Sequence, residues 1–133
     1  MTEHRFLVRI YYEDTDFSGN VYHAAYLKFF ERGRTEFLRA LGIHHHELAQ
    51  QGLAFAVRSM ELDFIGAARI DDQLIVTTEV VASSGVRLVL DQSIAKGETI
   101  ITKAHVLVVA IKTTGGPARL PADLRARLAL HSD

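Results

Sequence analysis

The chain carries one long stretch of helical period followed by a long run of period two, and that order rules out most architectures. From about Ala24 to Leu41, the residues Tyr26, Phe29, Phe30, Gly33, Phe37, Ala40 and Leu41 recur at helical spacing and mark one apolar face. Lys28, Glu31, Arg32, Arg34, Glu36 and Arg39 mostly fill the rest, with Arg32 and Glu36 spaced as an i,i+4 ion pair. From Leu53 onward the period is two. Met60, Leu62 and Phe64 alternate with Ser59, Glu61 and Asp63, and Leu74–Ala82, Val86–Ala95 and Thr99–Lys112 read as three more strands. Only Ser83-Ser84-Gly85 and Lys96-Gly97-Glu98 separate them, and turns this short join antiparallel neighbours.

Ahead of the helix, Phe6 to Tyr12 is β-branched and aromatic and reads as a first strand, ending in the polar stretch Glu13 to Asn20. Gly33 lies on the apolar helix face, where it costs helix propensity, so it implies close approach to a neighbouring layer. Gly42 stops the helix. His44 to Gln51 forms a short helix or turn. Thr113 to Pro117 is a breaker, and Pro121 opens a terminal helix carrying Leu124 and Leu128. The order is strand, long helix, four strands. It predicts an α+β domain spanning residues 1–133, with one long helix packed on a mostly antiparallel five-stranded sheet. On the other face Val81, Val89, Leu107, Val109 and Ile111 are too apolar to stay fully wet, which predicts oligomerisation.

Fifteen basic residues against sixteen acidic ones leave a formal net charge of −1, without the footprint of a nucleic-acid or anionic-membrane binder. The absence of cysteine excludes disulfides, thiol nucleophiles and thiolate metal sites. No signal-peptide pattern or membrane-spanning run occurs, so a cytoplasmic protein with no membrane insertion is expected.

Tyr11 to Arg34, YYEDTDFSGNVYHAAYLKFFERGR, holds the chemistry. Glu13, Asp14 and Asp16 lie beside a helix start, where N–H groups are unpaired and the dipole is positive. Two readings stand at this point. The carboxylates are caps and turn formers, or one is a reactive group next to an oxyanion site. Asp14, Asp16, Ser18 and Gly19 also fit the start of a calcium loop, but Ala25 stands where the twelfth-position Glu is needed.

The stretch YYEDTDFSGNVYHAAYLKFFERGRTEFL resembles the signature of the hotdog-fold thioesterases of the 4-hydroxybenzoyl-CoA thioesterase family, and most of all their Tol–Pal-associated branch. Phe55 to Met60 and Ala68 to Asp72 resemble the same branch, so the similarity runs from about Arg5 to Val109. The resemblance implies hydrolysis of acyl-CoA without a metal or other cofactor. It assigns Asp16 as general base or nucleophile and the backbone N–H of His23 as the group that polarises the carbonyl. It places Gly19, Val21, Tyr22, Glu31 and Arg58 on the substrate. It implies a homodimer or homotetramer, with acyl-CoA and acyl carrier protein as partners. A hydratase or dehydratase on the same fold, and a non-catalytic acyl-CoA-binding scaffold of the cell envelope, are the rival functions.

Some residues depart from the pattern or allow a plainer reading. Asn20 is a strong N-cap type whose side chain would compete for the His23 N–H. The expectation is therefore a helix beginning at or after His23, with Asn20 turned elsewhere. Glu31 fits a surface salt bridge as well as an acyl contact. His44, His45 and His46 splay around a helix axis instead of converging on a metal. Arg58, Arg69, Arg87 and Lys103 are candidate cations for the coenzyme A phosphates.

Overall fold

A computed structural model describes residues 3–129. The elements follow in the order β1 (His4–Arg9), α1 (His23–Ala40), α2 (His45–Gln50), β2 (Leu53–Phe64), β3 (Gln73–Ser83), β4 (Arg87–Lys96), β5 (Thr99–Lys112) and α3 (Ala122–Ala129). The five strands form one sheet in the order β1-β3-β4-β5-β2, and every pairing is antiparallel. The short turns at Gly85 and Gly97 put β3, β4 and β5 side by side. The longer passages through α1 and α2 send β1 and β2 to opposite edges.

The eighteen residues of α1 lie over β1, β3 and β4. Tyr26, Phe29, Phe30 and Phe37 are at most 3% exposed and meet the inward sheet residues Leu74, Val76, Val80, Leu90, Ile94 and Val106. Each such side chain contributes roughly 1.5–3 kcal/mol on burial, which outweighs the ~1 kcal/mol that Gly33 costs in helix propensity. Gly33 is where the layers touch: a Cβ there would fall 2.6 Å from Val76 Cγ1. Leu124 and Leu128 of α3 complete the core, and Arg127 Nη1 donates to the carbonyls of Leu41 and Gly42 where α1 ends. Among the described residues no helix is long and apolar enough to cross a membrane.

Three local expectations are corrected. The first strand ends at Arg9, not Tyr12, because the Tyr11 N–H donates to Asp14 Oδ2 and winds Tyr12–Asp14 into a single 3₁₀ turn. Glu36 pairs with Arg39 at 3.5 Å, while Arg32 sits 5.9 Å over the Phe29 ring instead of reaching Glu36. Arg34, placed by pattern among the solvated charges, is buried. Its Nη1 donates to Gln92 Oε1 (3.0 Å), and Gln92 Nε2 donates to the Phe30 carbonyl (3.0 Å) and to Thr78 Oγ1 (2.9 Å). Three inward polar side chains are thus linked by hydrogen bonds between helix and sheet.

The outer sheet face is of mixed character. Cross-strand register aligns Glu79, Asp91, His105 and Glu61 in one row and Thr77, Ser93, Lys103 and Asp63 in the next. His105 Nδ1 lies 2.6 Å from Asp91 Oδ1. Beyond these rows stand Val89, Leu107 and Val109, half-buried, with Val81 at a β-bulge and exposed.

Candidate active site

The polar stretch after β1 folds back on itself. Thr15 bridges Val21, the Asp16 N–H donates to the Asn20 carbonyl (2.9 Å), and the Gly19 N–H donates to the Asp16 carbonyl (3.1 Å). Gly19 takes φ +85°, a conformation that favours glycine, and a Cβ there would sit 3.1 Å from Arg69 Nη2. Arg69 Nη1 donates to Asn20 Oδ1 (3.0 Å), and the Val21 N–H donates to the Ala68 carbonyl (2.8 Å). Asp72 fixes this second segment. It accepts from the Arg69 N–H (2.8 Å) and pairs with Lys96 (2.9 Å), and these two donors hold its carboxyl below the usual range. A reactive loop needs such anchoring, since its own side chains are mostly exposed.

Asp16 sits at the turn with its carboxylate open to solvent. Its Oδ1 accepts from the hydroxyl of Ser18 at 2.5 Å and from the Ser18 N–H at 2.8 Å. Those two bonds, with a smaller contribution from nearby His23, hold the carboxyl below the ordinary aspartate value. No other described residue donates a hydrogen bond to Oδ2. One oxygen is therefore fixed and the other is available.

Seven residues after Asp16, α1 begins at His23 with Tyr22 as an N-cap that makes no side-chain bond. The Asn20 side chain is engaged by Arg69 and leaves the helix start alone. The Tyr22 N–H donates to the Asp14 carbonyl, and among the described residues nothing accepts from the His23 N–H. A free donor at a positive helix end beside an ionised carboxylate suits a reaction in which negative charge develops on a carbonyl oxygen. The His23 ring packs on Tyr22 (4.5 Å between centroids) and edge-on to Phe64 (6.2 Å), so the side chain is occupied by aromatic contacts. Tyr26 supports the floor, its hydroxyl accepting from the Ala68 N–H at 3.0 Å, and burial pushes its phenol up.

Of the residues expected at the site, Asp16, Gly19, Val21, Tyr22 and His23 converge in this turn and helix start. Glu31 lies eight residues along α1, roughly 12 Å up the axis, exposed. Arg58 is the extra residue of a β-bulge in β2, about 20 Å along the strand from Phe64. Among the other candidate cations, Arg69 is committed to Asn20, whereas Lys103 borders a concavity of about 560 Å³ on the outer sheet face. That concavity also holds Glu61, Asp63, Glu79 and Asp91, which would repel phosphate. That hollow is thus not where the chemistry gathers. His44 caps α2 in extended conformation and His45 turns edge-on to Phe55.

Sequence reasoning missed Ser18, Arg69 and Asp72 as supports. Ser18 carries a local signal, a hydroxyl two residues after an Asp. Arg69 carries none, because its partner is 49 residues away.

The model of the thioesterase-like superfamily matches residues 10–128. The acyl-CoA thioester hydrolase YbgC of Escherichia coli O6:H1 is 46% identical over 113 residues, covering 80% of this chain and 81% of that protein. The acyl-CoA thioesterase YbgC of Haemophilus influenzae is 42% identical, covering 91% and 90%. A crystal structure of a probable thioesterase from Bartonella henselae superimposes with a TM-score of 0.86 at 45% identity, over 90% of this chain and 99% of that one.

Proposed function

This chain belongs to the thioesterase-like superfamily, and from that footing we propose that it hydrolyses acyl-CoA thioesters to the free acid and coenzyme A. Asp16 acts through Oδ2 on the thioester carbonyl, either by taking a proton from the attacking water or by direct attack. The His23 N–H receives the oxyanion as the carbonyl carbon becomes tetrahedral. Collapse expels the thiolate, which leaves readily and needs little acid assistance; after direct attack, water then hydrolyses the mixed anhydride on Asp16, which releases the acid and restores the carboxylate. Gly19, Val21 and Tyr22 shape the walls around the carbonyl, Glu31 borders the acyl group, and Arg58 attracts the coenzyme A phosphates.

One observation carries this reading. Asp16, with one oxygen tied back by Ser18, lies near enough to His23 to feel its charge, and His23 starts a helix whose N-cap makes no side-chain bond. The wider reading is of one hotdog domain over residues 1–133, with α1 as its central helix. It acts as a cytoplasmic homodimer or homotetramer and also accepts acyl groups carried on acyl carrier protein.

A turnover screen over short, long and aromatic acyl-CoAs, following free thiol, tests it. Steady release from at least one class is expected. Tight binding without release across the whole panel contradicts hydrolysis and favours a scaffold.

A further inference from the structure

Arg34 is only 9% exposed, yet among the described residues no carboxylate lies within ion-pair distance and Gln92 is its one side-chain partner. Guanidinium groups are rarely buried without a counter-charge. Arg34 has five N–H donors, one of which serves Gln92. Arg34 lines a crevice of about 80 Å³ between α1 and the sheet, whose walls include Leu38, Phe55, Leu88 and Leu90. Glu31 lines the same crevice, near enough to favour the charged state of Arg34, which burial disfavours.

The position relative to the reactive turn is informative. His23, Leu27, Glu31 and Arg34 form a stripe along one flank of α1. That flank faces β2, which α1 covers less than β1, β3 and β4. At one end His23 meets Phe64, the last residue of β2; at the other, Phe55 and Val57 of β2 share the crevice with Arg34. The crevice therefore lies roughly 16 Å from the helix start, at the far end of a half-open flank. An aromatic acyl group held at the turn does not span that distance, whereas a medium-length chain does.

We propose that this crevice is a distal subsite for the acyl group, with Arg34 as a specificity-determining residue that selects a chain bearing a hydroxyl near its end. Glu31 offsets the charge of Arg34 across the crevice without pairing with it, so the crevice favours a neutral polar group over a second anion. A hydroxyl both accepts and donates. It takes a hydrogen bond from Arg34 and gives one to Glu31. A methyl end leaves the arginine donors dry and unmet, and a carboxylate end faces Glu31.

This inference rests on the acyl-CoA reading, and binding separates the two. The Asp16→Asn protein is titrated by calorimetry with chain-matched medium-length acyl-CoAs ending in methyl, hydroxyl or carboxylate. The hydroxyl chain is expected to bind at least about tenfold tighter than either of the others. Arg34→Met should bring hydroxyl and methyl chains to near equality. Glu31→Gln, on an exposed position, should raise the carboxylate chain towards the hydroxyl one, and it decides the matter if Arg34→Met fails to fold. Equal binding of hydroxyl and methyl chains, a preference that survives Arg34→Met, or no gain for the carboxylate chain in Glu31→Gln overturns the proposal. If the wild-type protein releases no coenzyme A while the preference holds, the hydrolytic reading falls and the subsite stands.

Discussion

At Asp16 the two carboxylate oxygens have different surroundings, and that asymmetry decides which one reacts. Oδ1 is committed to Ser18 through its hydroxyl and its N–H, leaving Oδ2 for substrate. Because the Ser18 bonds favour the ionised form, the carboxylate persists below the ordinary aspartate range. The acid limb of kcat/KM is therefore expected below that range, since activity needs the deprotonated group. Ser18→Ala removes the hydroxyl bond and should move this limb upward, towards the unperturbed value, as a pH profile of kcat/KM would record. An acid limb that stays put would mean that a different group titrates. Gln92 is a second residue whose substitution has a defined cost. Gln92→Leu fills similar volume but strands Arg34 Nη1 and Thr78 Oγ1. A loss of about 1–3 kcal/mol for each buried group left unpaired is expected in denaturant unfolding.

At the level of elements, Gly33 joins sequence to packing. Its place on an apolar helix face pointed to close approach, and Val76 of β3 occupies the space a methyl group would need. Gly33→Ala gains ~1 kcal/mol in helix propensity but overpacks a fully buried contact, which costs about 1–3 kcal/mol. Net destabilisation is expected in chemical denaturation, with the α1-to-β3 spacing as its cause. The strands and α1 were legible because each displays its period over many residues, and their bounds were read to within one or two positions. The end of β1 was not, because a side chain three residues on, Asp14, takes the N–H that would have continued the strand. Arg34 was misplaced for a related reason. Period assigns a charged residue to solvent, while the hydrogen-bonded Gln92 that admits it to the interior lies 58 residues away. In the candidate site, Asp16 and His23 stood out through family resemblance, and Ser18 was visible in principle. The anchoring by Arg69 and Asp72 depends on tertiary contact alone.

For the whole molecule, the sheet is covered on one face by α1 and α3, while its other face carries both a charged row and half-buried aliphatic side chains. Val89, Leu107 and Val109 beside exposed Val81 make that face a poor one to leave in water. Light scattering is expected to give a mass of at least twice the 14.8 kDa of the chain, and Leu107→Lys should shift it towards the monomer while leaving far-ultraviolet circular dichroism intact. A wild-type monomer at micromolar concentration would contradict this assembly. The account turns in the end on one carboxylate acting on a thioester. Its most direct test is coenzyme A release from the best acyl-CoA of the panel by the wild-type and Asp16→Asn proteins at equal folded concentration. The account predicts a loss of at least about 10²-fold in kcat with the fold intact; turnover within a few-fold of wild type would contradict it.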